Sequence, residues 1–595
     1  MNIIYIISIV AIYILFMLMH KTEKKQNLIG WLAISSILVL CYNILICLIC
    51  TFIGILCTLH NLTICNIMMI AILSIILIKN KKIQKYYIKI SDIIFSILTL
   101  ILVIFIAYKQ YGFPFNIKYE ITDGSTHYFF AQQFYEKSTL LYSKSTDDFL
   151  GLYNSGFRLP GAYINEGILF TLFDEVVPKT DLFIIFDIFV LYMSAILFYS
   201  LLKTHIKENK KMNILVWVLA IMYMLGYQLN SMLYGYVYLS LALDIIIAFL
   251  LVMASCKNEK ISYMVELPIL SLLSLGIFFS YAYFIPIIYI SILIDIIIEA
   301  NQNKEKIVSI ENINKMLYLI IIPSIIGISY FIIMPLVSGM KTEISTIGVN
   351  GKIYENYITN LLAFIPIVII DIVIIIKNKK KENNYGSILF IMSLLFALIL
   401  WIGNKLEIVS DYYFFKAYYI IWPLTIYNTF LSLNRILTDK PKSLKIITFI
   451  YISIYLISII ISTLIMQKNI GVNNIFYNNL NCINNEWSSF ENGELKLVDK
   501  QQKTLDNDQV YILTSDYYGR TLWMSVLHKN QYIYIDYMTA YKITIEKWLE
   551  EKQEKYYLAY HKDYEELEEG YLDENNDKYK IIYNDEYGFI LERNR

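Results

Sequence analysis

A carboxylate and an imidazole lie four residues apart in the stretch Asp123-Gly-Ser-Thr-His127-Tyr-Phe-Phe-Ala-Gln-Gln-Phe134. From Ser125 onward the apolar residues Phe130, Ala131 and Phe134 recur at helical spacing, and Ser125 or Thr126 suits the capping position. Asp123 then sits just before a helix N-terminus. There it is placed to take a proton from a hydroxyl or to hold a divalent cation, with His127 near enough to share the site. The plainer alternative is a capping acid and an interfacial histidine. Two cations accompany this pair. Arg158 stands in Gly156-Phe-Arg158-Leu-Pro160-Gly; Arg grips phosphate bidentately, or it simply supports a turn. Lys416 follows Ser410-Asp411-Tyr412-Tyr413-Phe414-Phe415. It is either a charge aimed at a lipid phosphate or a snorkelling lysine in an aromatic belt. Tyr281-Ala-Tyr-Phe-Ile-Pro286 interrupts an apolar run, lining a cavity or turning a hairpin. Glu343 is one further acid with a weak pattern of its own.

The elements that must position these residues are membrane spans. The chain has 595 residues, of which 57% are hydrophobic and 17% charged. Its mean hydropathy is +0.52. A soluble chain carries about a quarter charged residues. The apolar excess falls in runs of roughly 17–25 residues, the length that crosses a hydrocarbon core. Basic loops divide the runs: Lys21 to Lys25, Lys79 to Lys89, Lys203 to Lys211, Lys257 to Lys260, Lys304 to Lys315, Lys377 to Lys381 and Arg435 to Lys445. Such loops face the cytoplasm. Two spans fit between each neighbouring pair. They are Trp31–Leu56 and Ile67–Ile78, Ile90–Tyr108 and Phe183–Leu201, Met212–Leu229 and Leu233–Ala254, Leu267–Phe279 and Pro286–Ile298, Met316–Val337 and Ile358–Ile376, and Ser387–Ile402 and Tyr418–Leu433. Ile3 to Met19, followed by Lys21, Lys24 and Lys25, reads as a retained first span rather than a signal peptide. Ile446–Met466 closes the set. The expected fold is an all-α polytopic bundle of about fourteen transmembrane helices over 1–466, in the cytoplasmic membrane.

Parity then puts the loop Lys109–Leu182 outside, with Ser338–Tyr357, Gly403–Ala417 and the tail Gln467–Arg595. The tail, 467–595, holds 23 acidic against 15 basic residues, as an outer face should. Val510–Thr514, Gln531–Ile535 and Tyr556–Tyr560 read as strands, Asp516–Leu527 and Ile543–Gln553 as helices, and Lys578–Tyr583 with Gly588–Glu592 as a hairpin. That is a small extracytoplasmic α/β domain. The Asn-rich run Asn473–Asn485 reads as a loop. Of seven Cys, Cys41, Cys47, Cys50, Cys57 and Cys65 lie in or beside apolar runs and Cys482 in the tail, so no disulfide framework is expected.

Asp187, Asp244, Asp295 and Asp371 fall inside expected spans, where ionisable residues are functional candidates. Asp244 is the deepest and argues for a transport pathway. The chain has no Gly-rich phosphate loop, no Cys/His metal spacing and no nucleophile elbow. Nothing in it suggests nucleic acid as a partner.

The layout resembles the GT-C superfamily of polyprenyl-phosphate-dependent membrane glycosyltransferases. The shared features are many spans, a large outer loop with an acid just past a span, an interfacial helix after it and an outer C-terminal α/β domain. Tyr412-Tyr413-x-x-Lys416 is similar to a segment of some bacterial sugar-transferring members. Three extra spans precede the loop that should come first, and paired acids are not adjacent. The resemblance implies sugar transfer at the outer face from a lipid-linked donor to a glycan, protein or lipid acceptor. Asp123 would be the base or a ligand to a divalent metal, and no other cofactor is implied. Arg158 and Lys416 would hold the departing lipid phosphate. The rival expectation is a transporter or flippase with Asp244 as a relay.

Overall fold

The computed structural model describes residues 1–19, 26–80, 84–113, 115–118, 122–140, 159–206, 210–259, 263–304, 306–338, 385–439, 474–484, 490, 492–505, 510–513, 555–560, 575 and 577–594, with isolated positions at 446, 450, 453, 457, 523, 526, 527 and 549. These residues are mostly helical, with a small sheet near the C-terminus. Ten helical stretches among them are long and apolar enough to cross a membrane. Helices answer the central constraint of that medium, since each backbone N–H and C=O must find its partner inside the segment.

In chain order the helices of the first half are α1 (Asn2–Met19), α2 (Leu28–Phe52), α3 (Leu59–Asn80), α4 (Ile90–Tyr111), α5 (Thr122–Lys137), α6 (Gly161–Phe173) and α7 (Lys179–Lys203). Then come α8 (Lys210–Tyr223), a π-turn at Met224–Gln228, α9 (Leu229–Leu233), α10 (Val237–Glu259), α11 (Tyr263–Tyr281) and α12 (Ile285–Asn303). The rod α13 (Ile310–Met316) to α14 (Ile322–Ser338), with a π-turn between, precedes α15 (Tyr385–Lys405) and α16 (Asp411–Asp439). The expected spans match α1 to α4, α7 to α12, the α13–α14 rod, α15 and α16 to within a few residues at most ends. α3 is the larger difference, starting eight residues before Ile67. Ile358–Ile376 and Ile446–Met466 lie outside the described residues, isolated helical positions in the second apart. α16 has the length to cross but is more polar than the ten.

One of the ten, the 37-residue stretch Glu266–Gln302, is two elements. Tyr281 leaves the helical region at φ −157°, ψ 89°, a 3-10 turn covers Ala282–Phe284, and Pro286 starts α12. The rod α13–α14 runs beside α11 in the same direction. Ser274 Oγ donates to the Leu319 carbonyl at 2.8 Å, and the Phe279 and Tyr330 rings lie 5.3 Å apart. Between them α12 must return, and Glu299 near its end pairs with Lys315 at 3.0 Å. The hairpin reading of Tyr281–Pro286 is therefore the observed one.

The described span ends that border several of the basic loops share one end of the bundle. Two short parallel strands, β1 (Gln26–Asn27) and β2 (Tyr86–Tyr87), pair Gln26 with Tyr86. Tyr86 donates to the Met17 carbonyl and lies within charge range of Glu266. Lys203 pairs with Asp92, and Asn434 Nδ2 reaches the His205 carbonyl at 2.9 Å. The opposite end gathers α5, α6, the turn after α9, the turn Ala282–Phe284 and the start of α16.

The C-terminal region packs on that second end. Its sheet has the order β3–β4–β6–β5, from Val510–Leu513, Tyr556–Tyr560, Gly588–Arg593 and Tyr579–Asn584. β3 and β4 are parallel and the other two pairings antiparallel. β4 to β6 fall where the alternation placed them. The expected Gln531–Ile535 strand lies outside the described residues, as do all but isolated positions of the two tail helices. One expectation fails: Asn473–Asn485 is not a loop but contains helix α17 (Ile475–Asn484). Asn474 Oδ1 accepts from Phe476 N at 3.0 Å, and buried Ile475, Asn479 and Cys482 line one face. The Asn residues mark a cap and a polar contact, not chain irregularity. A second helix, α18 (Asn492–Leu505), follows it. Trp523 packs near Tyr128 and Phe183 at 5.8 and 6.3 Å between ring centroids, and Phe490 N donates to the Ile117 carbonyl at 3.3 Å.

Candidate functional site

α5 begins at Thr122, so Asp123 lies in its first turn, Ser125 and Thr126 fall inside the helix rather than capping it, and Ser125 and His127 are buried. Nor is α5 an amphipathic helix with one wet face. Tyr128, Phe129, Phe130, Ala131, Gln132, Gln133 and Phe134 are all buried. α6 covers it closely because Gly167 has no side chain; a Cβ there would stand 2.6 Å from the Phe134 ring. This packing fixes the direction of α5 and hence of Asp123 and His127.

His127 Nδ1 is 2.7 Å from the Tyr163 hydroxyl, and the two rings stack at 5.5 Å. On another side its ring meets Tyr238 at 4.6 Å. Tyr238 leads to Tyr281 at 5.6 Å and Tyr236 at 6.1 Å. Asp123 lies near the Tyr236 hydroxyl, close enough for its charge to be felt there. Burial first, and then the Asp123 charge, push the Tyr236 phenol well above its usual range. Tyr236 is thus a neutral O–H donor facing a half-buried carboxylate.

Lys416, on the first turns of α16, completes the cluster. Its Nζ lies over four tyrosine rings, at 4.2 Å from the centroid of Tyr412, 5.1 Å from Tyr413, 5.5 Å from Tyr281 and 5.9 Å from Tyr236. A snorkelling lysine would reach water; Lys416 is only 3% exposed. Cation–π attraction is worth about 0.5–2 kcal/mol per well-placed ring, more when water is excluded. The Tyr283 hydroxyl donates to the Tyr413 carbonyl at 2.5 Å and ties the α11–α12 turn to this helix start.

The structure therefore brings Asp123, His127, Tyr281, Tyr412, Tyr413 and Lys416 to one end of the bundle. Arg158 and Glu343 lie outside the described residues. Among the described residues no group of three or more His, Cys, Asp and Glu is placed to hold a metal ion. The sequence reading missed Tyr163, Tyr236 and Tyr238. With 52 Tyr in the chain none stood out; the signal was Tyr234-Gly-Tyr-Val-Tyr238 at a turn between two spans. It also missed Glu166, three residues after Tyr163 on α6. Glu166 is fully buried, with neither carboxyl oxygen partnered among the described residues. Burial, with Asp187 nearby adding its charge, pushes the Glu166 carboxyl well above the usual carboxylate range.

The chain matches no protein-family model and no curated protein. What this arrangement does has to be argued from its own geometry.

Proposed function

We propose that this chain is a membrane glycosyltransferase. It would move a sugar from a polyprenyl-phosphate donor to an acceptor at the outer face of the cytoplasmic membrane, in assembly of cell-envelope glycan. One observation carries the reading: Asp123 and Lys416, nearly 300 residues apart in sequence, meet around Tyr236 in one tyrosine-lined site. Such a site holds a proton acceptor and a cation on facing elements. Asp123 accepts the proton of the acceptor hydroxyl as that oxygen attacks the anomeric carbon. The Tyr236 hydroxyl orients the carboxylate. Lys416, held in place by ring faces, meets the negative charge that grows on the departing phosphate oxygen, an electrostatic role that strengthens towards the transition state. Tyrosine faces and hydroxyls suit the flanks of a sugar ring, which is apolar on its C–H faces and polar at its rim. His127, set by Tyr163, lines the same wall.

The test is release of polyprenyl phosphate from a polyprenyl-phosphate sugar by purified protein in nanodiscs. Loss of release in both Asp123→Asn and Lys416→Met, with unchanged folding, supports the reading. Parent-like release in both overturns it. A second reading, movement of a lipid or solute, is favoured by buried Asp244, whose Oδ2 has no partner among the described residues. Uptake into sealed vesicles without donor consumption would select it.

A further inference from the structure

Asp244 on α10 is 0% exposed and has no ion-pair partner among the described residues. Its Oδ1 accepts from Gln228 Nε2 at 3.0 Å, while Oδ2 is left without a partner. Gln228 is also 0% exposed. Its amide nitrogen serves both Asp244 and the Tyr223 hydroxyl, and its Oε1 is left over in turn. One side-chain pair thus ends in two buried acceptors and no donor. Buried acceptors are seldom abandoned, and a buried carboxylate needs a counter-charge. Two more oxygens stand close: Ser194 Oγ on α7, which donates to the Val190 carbonyl at 3.0 Å, lies near Asp244, and Ser240 Oγ donates to the Gln228 carbonyl at 3.4 Å.

The backbone explains why Gln228 faces Asp244. Gln228 ends the π-turn Met224–Gln228, inside which Gly226 leaves helical geometry at φ −82°, ψ −118°. A Cβ at Gly226 would meet the Trp422 indole nitrogen at 2.8 Å, so the bulge packs against α16 only with glycine there. The carbonyls of Leu225 and Gly226 both accept from Asn479 Nδ2, at 2.8 Å each. Asn479 Oδ1 in turn accepts from Asn230 Nδ2 at 2.8 Å. A side chain of α17, in the C-terminal region, therefore clamps the bulge that aims Gln228. Bulges of this kind gather at functional positions.

We propose that Asp244 Oδ2 and Gln228 Oε1, helped by the Tyr223 and Ser194 hydroxyl oxygens, hold one Na+ ion. A single carboxylate matches a single positive charge and leaves the buried site neutral. A divalent ion would leave it charged. The donors are all hard oxygens, and a break in a helix beside them is a recurrent way for membrane proteins to hold Na+. Asn479 makes the site responsive to the C-terminal region, because releasing the bulge moves Gln228 Oε1 away from Asp244. The inference stands independently of glycosyl transfer.

The test is thermal unfolding of the full-length protein in detergent, with NaCl exchanged for choline chloride or KCl at constant ionic strength. A saturable rise in Tm with Na+, weaker with K+ and absent with choline, is expected. Asp244→Asn and Gln228→Leu should abolish the rise, and Asn479→Ala should raise the Na+ midpoint about fivefold or more. Ser194→Ala, which keeps the charge balance, gives the same readout with a smaller midpoint shift if Asp244→Asn fails to fold. No Na+ response in the parent, a response that survives in Asp244→Asn, a parent-like Na+ midpoint in Ser194→Ala, or a stability that follows pH with no effect of Na+ would overturn the proposal. Donor turnover is not part of the readout, so a failed glycosyl-transfer reading leaves this result standing.

Discussion

The two ends of the bundle use the same residue types to opposite purposes. At the end that gathers the basic loops, Asp92 on α4 is fully buried and closed on itself. Its Oδ1 accepts from the Tyr199 hydroxyl at 2.6 Å, from Ser91 Oγ at 3.2 Å and from Lys203, and Oδ2 accepts from the Lys89 amide at 3.4 Å. Lys203 also lies over the Tyr199 ring at 5.1 Å, and Phe95 stacks on that ring at 4.2 Å. Acid, lysine and tyrosine there form one satisfied knot. At the other end Asp123 is half-buried and meets a tyrosine hydroxyl, and Lys416 lies among tyrosine faces. A ring face holds an ammonium in position through its π cloud. An acid and a cation separated by hydroxyls can each act on a molecule placed between them. The comparison teaches that composition alone does not mark a site; the division of partners does.

The largest break in this comparison should come from Asp123→Asn. Asn keeps the shape beside Tyr236 but takes no proton. Donor turnover should fall about 10²–10⁴-fold with the fold intact. Near-parent turnover would make Asp123 a counterpart of Asp92, a structural acid. Lys416→Met keeps much of the stem and its packing against the rings. Its expected effect is a fall in kcat of about 10²–10³-fold, with a smaller change in donor affinity. If KM alone rises, Lys416 binds the phosphate equally before and during the reaction, and the electrostatic role is wrong.

Asp92→Ala should show the reverse pattern. It leaves Lys203 buried without its carboxylate, a change that typically destabilises by about 3–5 kcal/mol. Adding Lys203→Met should recover much of that loss, since the uncompensated charge goes too. Donor turnover measured below the melting temperature should stay close to the parent. A selective loss of turnover in Asp92→Ala would erase the distinction between the two ends.

How much of this was legible in the sequence follows from what each signal depends on. Span positions depend on runs of apolar residues, and α2, α4, α7 and α10 fall near the runs that announced them. Lys416 and Tyr412 were legible as an unusual pair because aromatics crowd one lysine locally. Their meeting with Asp123 was not, because it depends on how α5, the turn after α9 and α16 pack together. Tyr236 and Glu166 escaped for the same reason: a tyrosine or a glutamate near a span end has no local pattern. Asn479 was misread outright. An Asn-rich run favours turns when its side chains bond their own backbone, but here the side chain reaches the carbonyls of a distant π-turn. Tertiary hydrogen bonding overrode the local preference.

The effect that vanishes at pH 5 and grows only as pH rises concerns Glu166, which extends the contrast with Asp92 to an acid with no donor among the described residues. Asp92 accepts four hydrogen bonds, whereas Glu166 on α6 has both oxygens unpartnered among the described residues. Its carboxyl is raised well above 4.5, through burial first and Asp187 second. In the unfolded chain the proton leaves near the ordinary value; in the folded chain it stays. Between those two values the folded state binds more protons than the unfolded one, so stability must fall as pH rises. The stabilising contribution is whole below about pH 4.5 and is lost on rising through the folded value. Each pH unit within that window removes about 1.4 kcal/mol if Glu166 titrates alone. Glu166→Gln keeps the shape and stays neutral at every pH. Its Tm should match the parent at pH 5 and exceed it progressively towards pH 9, in the same detergent and salt. Parallel curves for the two proteins would mean that Glu166 finds a partner when folded, and that it belongs with Asp92 rather than opposite it.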